Sequence, residues 1–445
     1  MDSNLILLII GVVAFLQCLL KNEKTIIKLL IFTLPVRTLF ESTMIPIGLN
    51  GILIWAVWFA FLIKHKKSSF KLINWNVITA QLNWLYYIIT IGILIGYFDI
   101  TILDTYTKSS KISQIFHISL NLITLVFFIK ILVNYRENIK FQNTLKLVFT
   151  ASIFIQILPL IAHYFGVLNN FYLLSFVTFE DNLIGSEVAR FAGLLGDYEL
   201  IVDYCLIVIA IAFINVLNKR YVSFSIMAML ISIGIGIYSG TRSFLVILPL
   251  FFLVFYFIGF YYNLNRNKLL ISSICIGYFS YFLFINYSSD IIVFERLKGA
   301  LEIYSQSGNL NDASNRHFDK SLKNLLLNSN LSLGNGSLEF NQIKGDEMVS
   351  HNVLLHVYAK YGIVGLFLLV LLFARSIYFL FKLLSKSKLK IIKTEATVYL
   401  SLIICLFIQQ MKISILRYQS TMLIYCFLFI LIYYFLYQNK IVKKS

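Results

Sequence analysis

Long apolar runs follow one another through this chain with few breaks, and they restrict its fold more than any other feature. A helix of about 20 apolar residues matches the hydrocarbon thickness of a bilayer, and helical backbone satisfies its own N–H and C=O groups there. Such runs lie near residues 4–20, 25–40, 47–63, 75–97, 112–134, 144–166, 200–217, 221–238, 243–262, 268–286, 352–381, 394–411 and 418–437. The pattern predicts an all-α integral membrane protein of about 12–14 transmembrane helices, with about thirteen the best count by length. Composition agrees, since 59% of residues are hydrophobic, 13% are charged and mean hydropathy is +0.81. The first run has no basic segment before it and no small-residue cleavage site, so it is read as a helix and not a signal peptide.

Charge then orients the helices. The net charge of +17 in a soluble protein would suggest nucleic acid. Here the lysines cluster in short connections: Lys21/Lys24, Lys64 to Lys71, Arg136/Lys140/Lys146, Lys219/Arg220, Arg266/Lys268, Lys382 to Lys393 and the tail from Lys440. With thirteen spans, all of these fall on one side, as the positive-inside bias requires, and one helix more or fewer would break the parity. No nucleic-acid partner is expected. The N-terminus is placed outside, the C-terminus inside, and the longer loops outside.

The predicted organisation is therefore ten helices over residues 1–286, one large extracytoplasmic loop at 287–351, and three helices with a basic tail over 352–445. Within the loop, Ile291, Ile292, Phe294, Leu297, Leu301 and Ile303 suit an amphipathic helix on the membrane face, and Leu322, Leu325 and Leu326 line a second. All five cysteines fall in apolar stretches, which argues against a disulfide framework or a metal cluster. There is no P-loop, metal-ligand spacing or nucleotide fingerprint, and no cofactor is expected.

Arginine departs from the lysine pattern. Of 10 arginines, the topology puts Arg37, Arg190, Arg242, Arg296, Arg316 and Arg417 at the outer face, whereas most of the 28 lysines lie inside. Either residue orients a helix, so a bias toward arginine on the disfavoured side points to bidentate binding of phosphate or carboxylate. The alternative is pairing with loop acids such as Glu187, Glu295 or Asp312. Arg242 stands in the turn Ser239-Gly240-Thr241-Arg242-Ser243 between two apolar helices, close to the hydrocarbon, where charge is costly and usually functional. Arg190 opens Arg190-Phe191-Ala192-Gly193, just before a span whose Glu199 and Asp203 could neutralise it. His351 lies in Glu347-Met348-Val349-Ser350-His351-Asn352 at the mouth of a helix, suited either to general-base work near neutral pH or to helix capping. Gly362 and Gly365 permit close helix packing.

The order Arg190…Gly193, Ser239-Gly240-Thr241-Arg242-Ser243, Arg316, Gly334-Asn335-Gly336 and His351-Asn352 with Gly362 and Gly365 resembles the O-antigen polymerase and O-antigen ligase superfamily of bacterial membrane glycosyltransferases. The resemblance spans roughly residues 185 to 380 in motif order. It implies a GT-C-like fold in the bacterial cytoplasmic membrane and metal-independent glycan transfer from undecaprenyl diphosphate at the outer face. It further implies that Arg190, Arg242 and Arg316, supported by Arg37 and Arg417, hold the diphosphate. His351 would assist the acceptor hydroxyl, with Glu347 as the second candidate base. The implied partners are an undecaprenyl-diphosphate-linked oligosaccharide, membrane lipids and a chain-length regulator protein. Asp197-Tyr198-Glu199 departs from the Asn-rich turn common in that superfamily. A repeat-unit polymerase is favoured by the Ile, Asn, Lys and Phe richness of the chain; a ligase acting on lipid A core is the alternative. Mid-span Gln81, Asn83 and Gln156 keep a lipid-linked oligosaccharide flippase or other transporter open as a third reading.

Overall fold

The computed structural model describes residues 3–36, 48–64, 78–87, 108–165, 179–180, 190–262, 264, 299, 302–306, 308, 353–410 and 419–441. Nearly all of these are helical; the sole extended pairing among them joins Phe179–Glu180 (β1) to Arg190–Phe191 (β2). Six helices are long and apolar enough to cross a membrane: Ile139–Ile161, Leu200–Leu217, Arg242–Tyr261, Tyr361–Lys386, Lys390–Gln410 and Thr421–Gln438. Four shorter apolar helices, Leu8–Leu20, Gly48–Lys64, Ser119–Val133 and Val222–Tyr238, also coincide with expected spans. These are the helices of a multi-pass membrane protein. The expected span at 268–286 and the second loop helix lie outside the described residues.

Contacts divide the chain into two compact units. The first comprises Met1–Val148, Asp319–Ser376 and Gln410–Ser445; the second comprises Phe149–Phe318 and Ile377–Gln409.

In the first unit, α1 (Ser3–Gln17) passes through a π-helical turn at Cys18–Asn22 into α2 (Glu23–Thr33). Both pack on α3 (Gly48–Lys64). At one end of α3, Asn50 donates to the Thr33 carbonyl at 3.1 Å and accepts from the Thr33 hydroxyl at 2.8 Å. At the other end, Lys64 reaches Glu23 at 2.9 Å, so α1 and α2 form a helical hairpin along one partner. The helix expected at 25–40 ends at Thr33, two residues before Pro35, which has no amide hydrogen to continue the helical bonds. Residues 78–87 (α4) and α5 (Lys108–Val133) continue the unit, and α5 packs against α13 (Gln419–Gln438). In α4, the Gln81 amide oxygen accepts from Arg375 Nη1 and Nε at 3.2 and 3.1 Å, which satisfies a mid-span polar group inside the helix bundle.

The same unit gathers its basic connections at one end. Glu23 accepts from Lys64 and from the Tyr135 hydroxyl, and Glu137 accepts from Tyr437 at 3.1 Å. The connections after α1, α3, α5 and α13 therefore meet, while the Thr33–Asn50 contact lies at the opposite end. Burial and the neighbouring Glu23 carboxylate push the Tyr135 phenol well above its usual range, so it remains a donor to Glu23.

α6 (Ile139–Ala151) begins in the first unit, and from Phe149 its last residues belong to the second, where a short 3₁₀ segment leads into α7 (Ile157–Tyr164). Next come α8 (Leu200–Leu217), α9 (Val222–Tyr238), α10 (Arg242–Tyr261) and α12 (Lys390–Gln410). α8 is buried on nearly every face and forms the core against which α9 packs. Here too the basic connections share an end. Asn218 donates to Glu395 at 3.4 Å, and the Lys393 ammonium lies 5.7 Å from the Tyr262 ring centre.

α11 (Val353–Lys386) is not one straight helix. Gly362 adopts φ 63°, ψ −166° and breaks it, so the apolar span begins near Tyr361 and not at 352. The glycine read as a packing residue is a backbone hinge between two helical pieces. In the loop region, residues 302–306 form one exposed helical turn, with Ile303 and Tyr304 both presented outward.

Candidate functional site

The end of the second unit opposite its basic connections carries the turn Ser239-Gly240-Thr241-Arg242. Gly240 takes φ +66°, a left-handed conformation that glycine adopts without strain, and the Ser239 hydroxyl donates back to Gly236 at 2.7 Å. Thr241 is extended, and Arg242 is the first residue of α10, half-buried.

Thr241 also fixes what stands beside this turn. Its hydroxyl donates to the Tyr198 carbonyl at 2.9 Å, joining the turn to the segment that enters α8. That segment is built in detail. Asp197 Oδ1 accepts from the Glu199 and Leu200 amides at 2.8 and 3.2 Å, capping α8. Gln156, buried in the 3₁₀ segment, accepts from the Leu194 amide at 2.7 Å. Gly193 takes φ +58°, and a Cβ there would collide with Gln156 and Ile201.

Arg190 belongs to the same construction. It sits on β2, with Glu180 as its register partner on β1. The next residue, Phe191, is fully buried, and its ring centre lies 5.9 Å from that of Tyr238, at the end of α9. Two tethers, Phe191–Tyr238 and Thr241–Tyr198, thus draw the Arg190 strand and the Arg242 turn to one end of the unit. A third, from Gln409 on α12 to Ser243 Oγ at 3.0 Å, holds the residue after Arg242.

Three acids share this end. Asp197, Glu199 and Asp203 are 3%, 5% and 1% exposed. They stand at the N-terminal end of α8, where the helix dipole favours negative charge. The sequence paired Glu199 and Asp203 with Arg190; the Thr241–Tyr198 bond brings the Arg242 turn beside the residues between Asp197 and Glu199. Sequence reasoning also gave no role to Asp197 or Gln409 and treated Gln156 as a transport residue. An Asp three residues ahead of an apolar run is a legible helix-start signal, whereas the bonds of Gln156 and Gln409 join distant segments.

Among the remaining predicted residues, Arg37, Arg316, Glu347, His351 and Arg417 lie outside the described residues. No protein-family model and no curated protein matches this chain.

Proposed function

We infer that this chain is a glycosyltransferase of the bacterial cytoplasmic membrane that polymerises lipid-linked O-antigen or capsular repeat units at the outer face. The observation that carries the reading is the position of Arg242. It opens α10, a helix with no acid in its first turn, at the end of its unit away from the lysine-rich connections. A helix N-terminus already presents positive potential, so a cation placed there calls for negative charge nearby, which the buried acids of this end and a bound anion can both supply. The guanidinium and the helix N-terminus together suit a diphosphate on which charge builds as the glycosidic C–O bond breaks.

In this reading Arg190 and Arg316 share the diphosphate with Arg242, supported by Arg37 and Arg417. His351, or Glu347, takes the proton of the acceptor sugar hydroxyl, a step for which a positioned base gives roughly 10²–10⁴-fold acceleration. The donor is a repeat unit on undecaprenyl diphosphate, and the acceptor is the non-reducing end of a second lipid-linked unit. The fold of this reading is the GT-C-like multi-helix type with one large extracytoplasmic loop at 287–351.

The test is elongation of lipid-linked repeat units by purified protein. Arg242→Ala and Arg242→Lys should both lower the rate, by roughly 10²–10³-fold for the alanine variant. Long products from the alanine variant at the wild-type rate would remove Arg242 from the site. Deletion of the gene separates polymerase from ligase, since only a ligase mutant accumulates long polymer on the lipid carrier.

A further inference from the structure

The basic end of the first unit contains a cavity of about 560 Å³ between the first turn of α2 and the α5–α6 connection. Lys24 and Lys140 line it, together with Asn134, Asn138 and one acid, Glu137. The nearby carboxylates are engaged. Glu23 binds Lys64 at 2.9 Å and Tyr135 at 3.5 Å, and Glu137 accepts from Tyr437, whose ring carries Arg136 at 5.7 Å. The Lys24 ammonium lies 5.9 Å from the ring centre of Phe141, in the first turn of α6.

α6 adds to the positive potential. Its first turn holds no acid, the Phe141 amide is capped by Asn138 Oδ1 at 3.1 Å, and the amides of its first residues have no acceptor within the helix. The cavity also has an apolar edge: Ile139, which lines it, is 52% exposed, and Leu20, four residues before Lys24, is 70% exposed. A headgroup cavity flanked by exposed aliphatic side chains suits an amphiphile, whose acyl chains and phosphate bind together.

We propose that this cavity is a binding site for the phosphate of an anionic phospholipid, held by Lys24 and Lys140 at the lysine-rich face. The site lies in the first unit and does not depend on the glycosyltransferase reading. It goes beyond the general attraction of basic loops to an anionic leaflet, because it assigns two particular lysines and a cavity of headgroup size.

The experiment is native mass spectrometry of the delipidated full-length protein titrated with phosphatidylglycerol, phosphatidylcholine or inorganic phosphate. Wild type should retain phosphatidylglycerol in preference to phosphatidylcholine and bind phosphate alone weakly. At about a fivefold loss per lysine near an anionic headgroup, Lys24→Gln with Lys140→Gln should weaken phosphatidylglycerol binding about thirtyfold. Lys24→Arg with Lys140→Arg should restore it, and Lys388→Gln with Lys390→Gln should not affect it. If the double glutamine variant does not fold, the single variants decide, each about fivefold weaker. Undiminished binding in the Lys24 and Lys140 variants overturns the proposal. So does an equal loss in the Lys388 and Lys390 variant, which marks a diffuse basic belt. Phosphate binding as tight as the lipid's overturns the lipid as its source.

Discussion

Thr241 donates its hydroxyl proton to the carbonyl oxygen of Tyr198 at 2.9 Å, and this bond joins two turns 43 residues apart in sequence. One turn launches α10 with Arg242; the other launches α8 behind Asp197 and Glu199. Thr241→Val keeps the shape and removes the donor to the half-buried Tyr198 carbonyl, at a cost of about 0.5–1.5 kcal/mol. Insertion should be normal, the unfolding midpoint in detergent should fall, and glycan elongation should fall further than stability alone explains. Thr241→Ser should restore both. Wild-type elongation in the valine variant would separate the bond from function.

Gly193 and Gly48 are a matched pair for testing how tightly the Arg190 segment is built. Both have positive φ, +58° and +54°, so alanine strains the backbone at each by roughly 1–2 kcal/mol. At 48 a Cβ meets nothing within 4 Å, whereas at 193 it meets Gln156 and Ile201. Gly193→Ala should therefore lower the thermal midpoint distinctly more than Gly48→Ala, as read by detergent unfolding scans. Equal shifts would mean that the 190–196 segment yields around the added methyl.

Asp197 caps α8 through two backbone amides, so its replacement by alanine should cost about 0.5–2 kcal/mol. Asn keeps an oxygen at the same place and should recover most of the loss. If Asn fails as badly as Ala in the same unfolding assay, the negative charge matters beyond the cap.

The apolar runs and the parity of the lysines were readable because lipid imposes a length and a sign on each segment. Ten described apolar helices lie where expected, and within each unit the tested basic connections meet at one end. What the sequence hid is local or long-range. Gly362 looked like a packing glycine, since nothing in Tyr361-Gly362-Ile363 distinguishes a tight contact from a left-handed break. Gln156 and Gln81 looked like transport residues, because their partners, the Leu194 amide and Arg375, are far along the chain. The Arg190 and Arg242 segments were known only in order; Phe191 against Tyr238 and Thr241 against Tyr198 bring them to one end.

The sidedness on which the functional reading rests can be tested with two conservative substitutions. Ser305 lies in the exposed turn of the 287–351 region, and Ser385 is exposed in the last turn of α11, beside the lysine cluster. Lysine-rich connections belong on the cytoplasmic side, so the two serines should face opposite compartments. Four of the five native cysteines, Cys18, Cys205, Cys405 and Cys426, are buried, and Cys275→Ser in the labelling background removes the fifth. In spheroplasts a membrane-impermeant maleimide should label Ser305→Cys and spare Ser385→Cys; in inverted vesicles the order should reverse. Labelling of Ser305→Cys only from the cytoplasmic side would carry Arg242, two expected spans away, to that side as well and overturn the outer placement that the diphosphate reading requires.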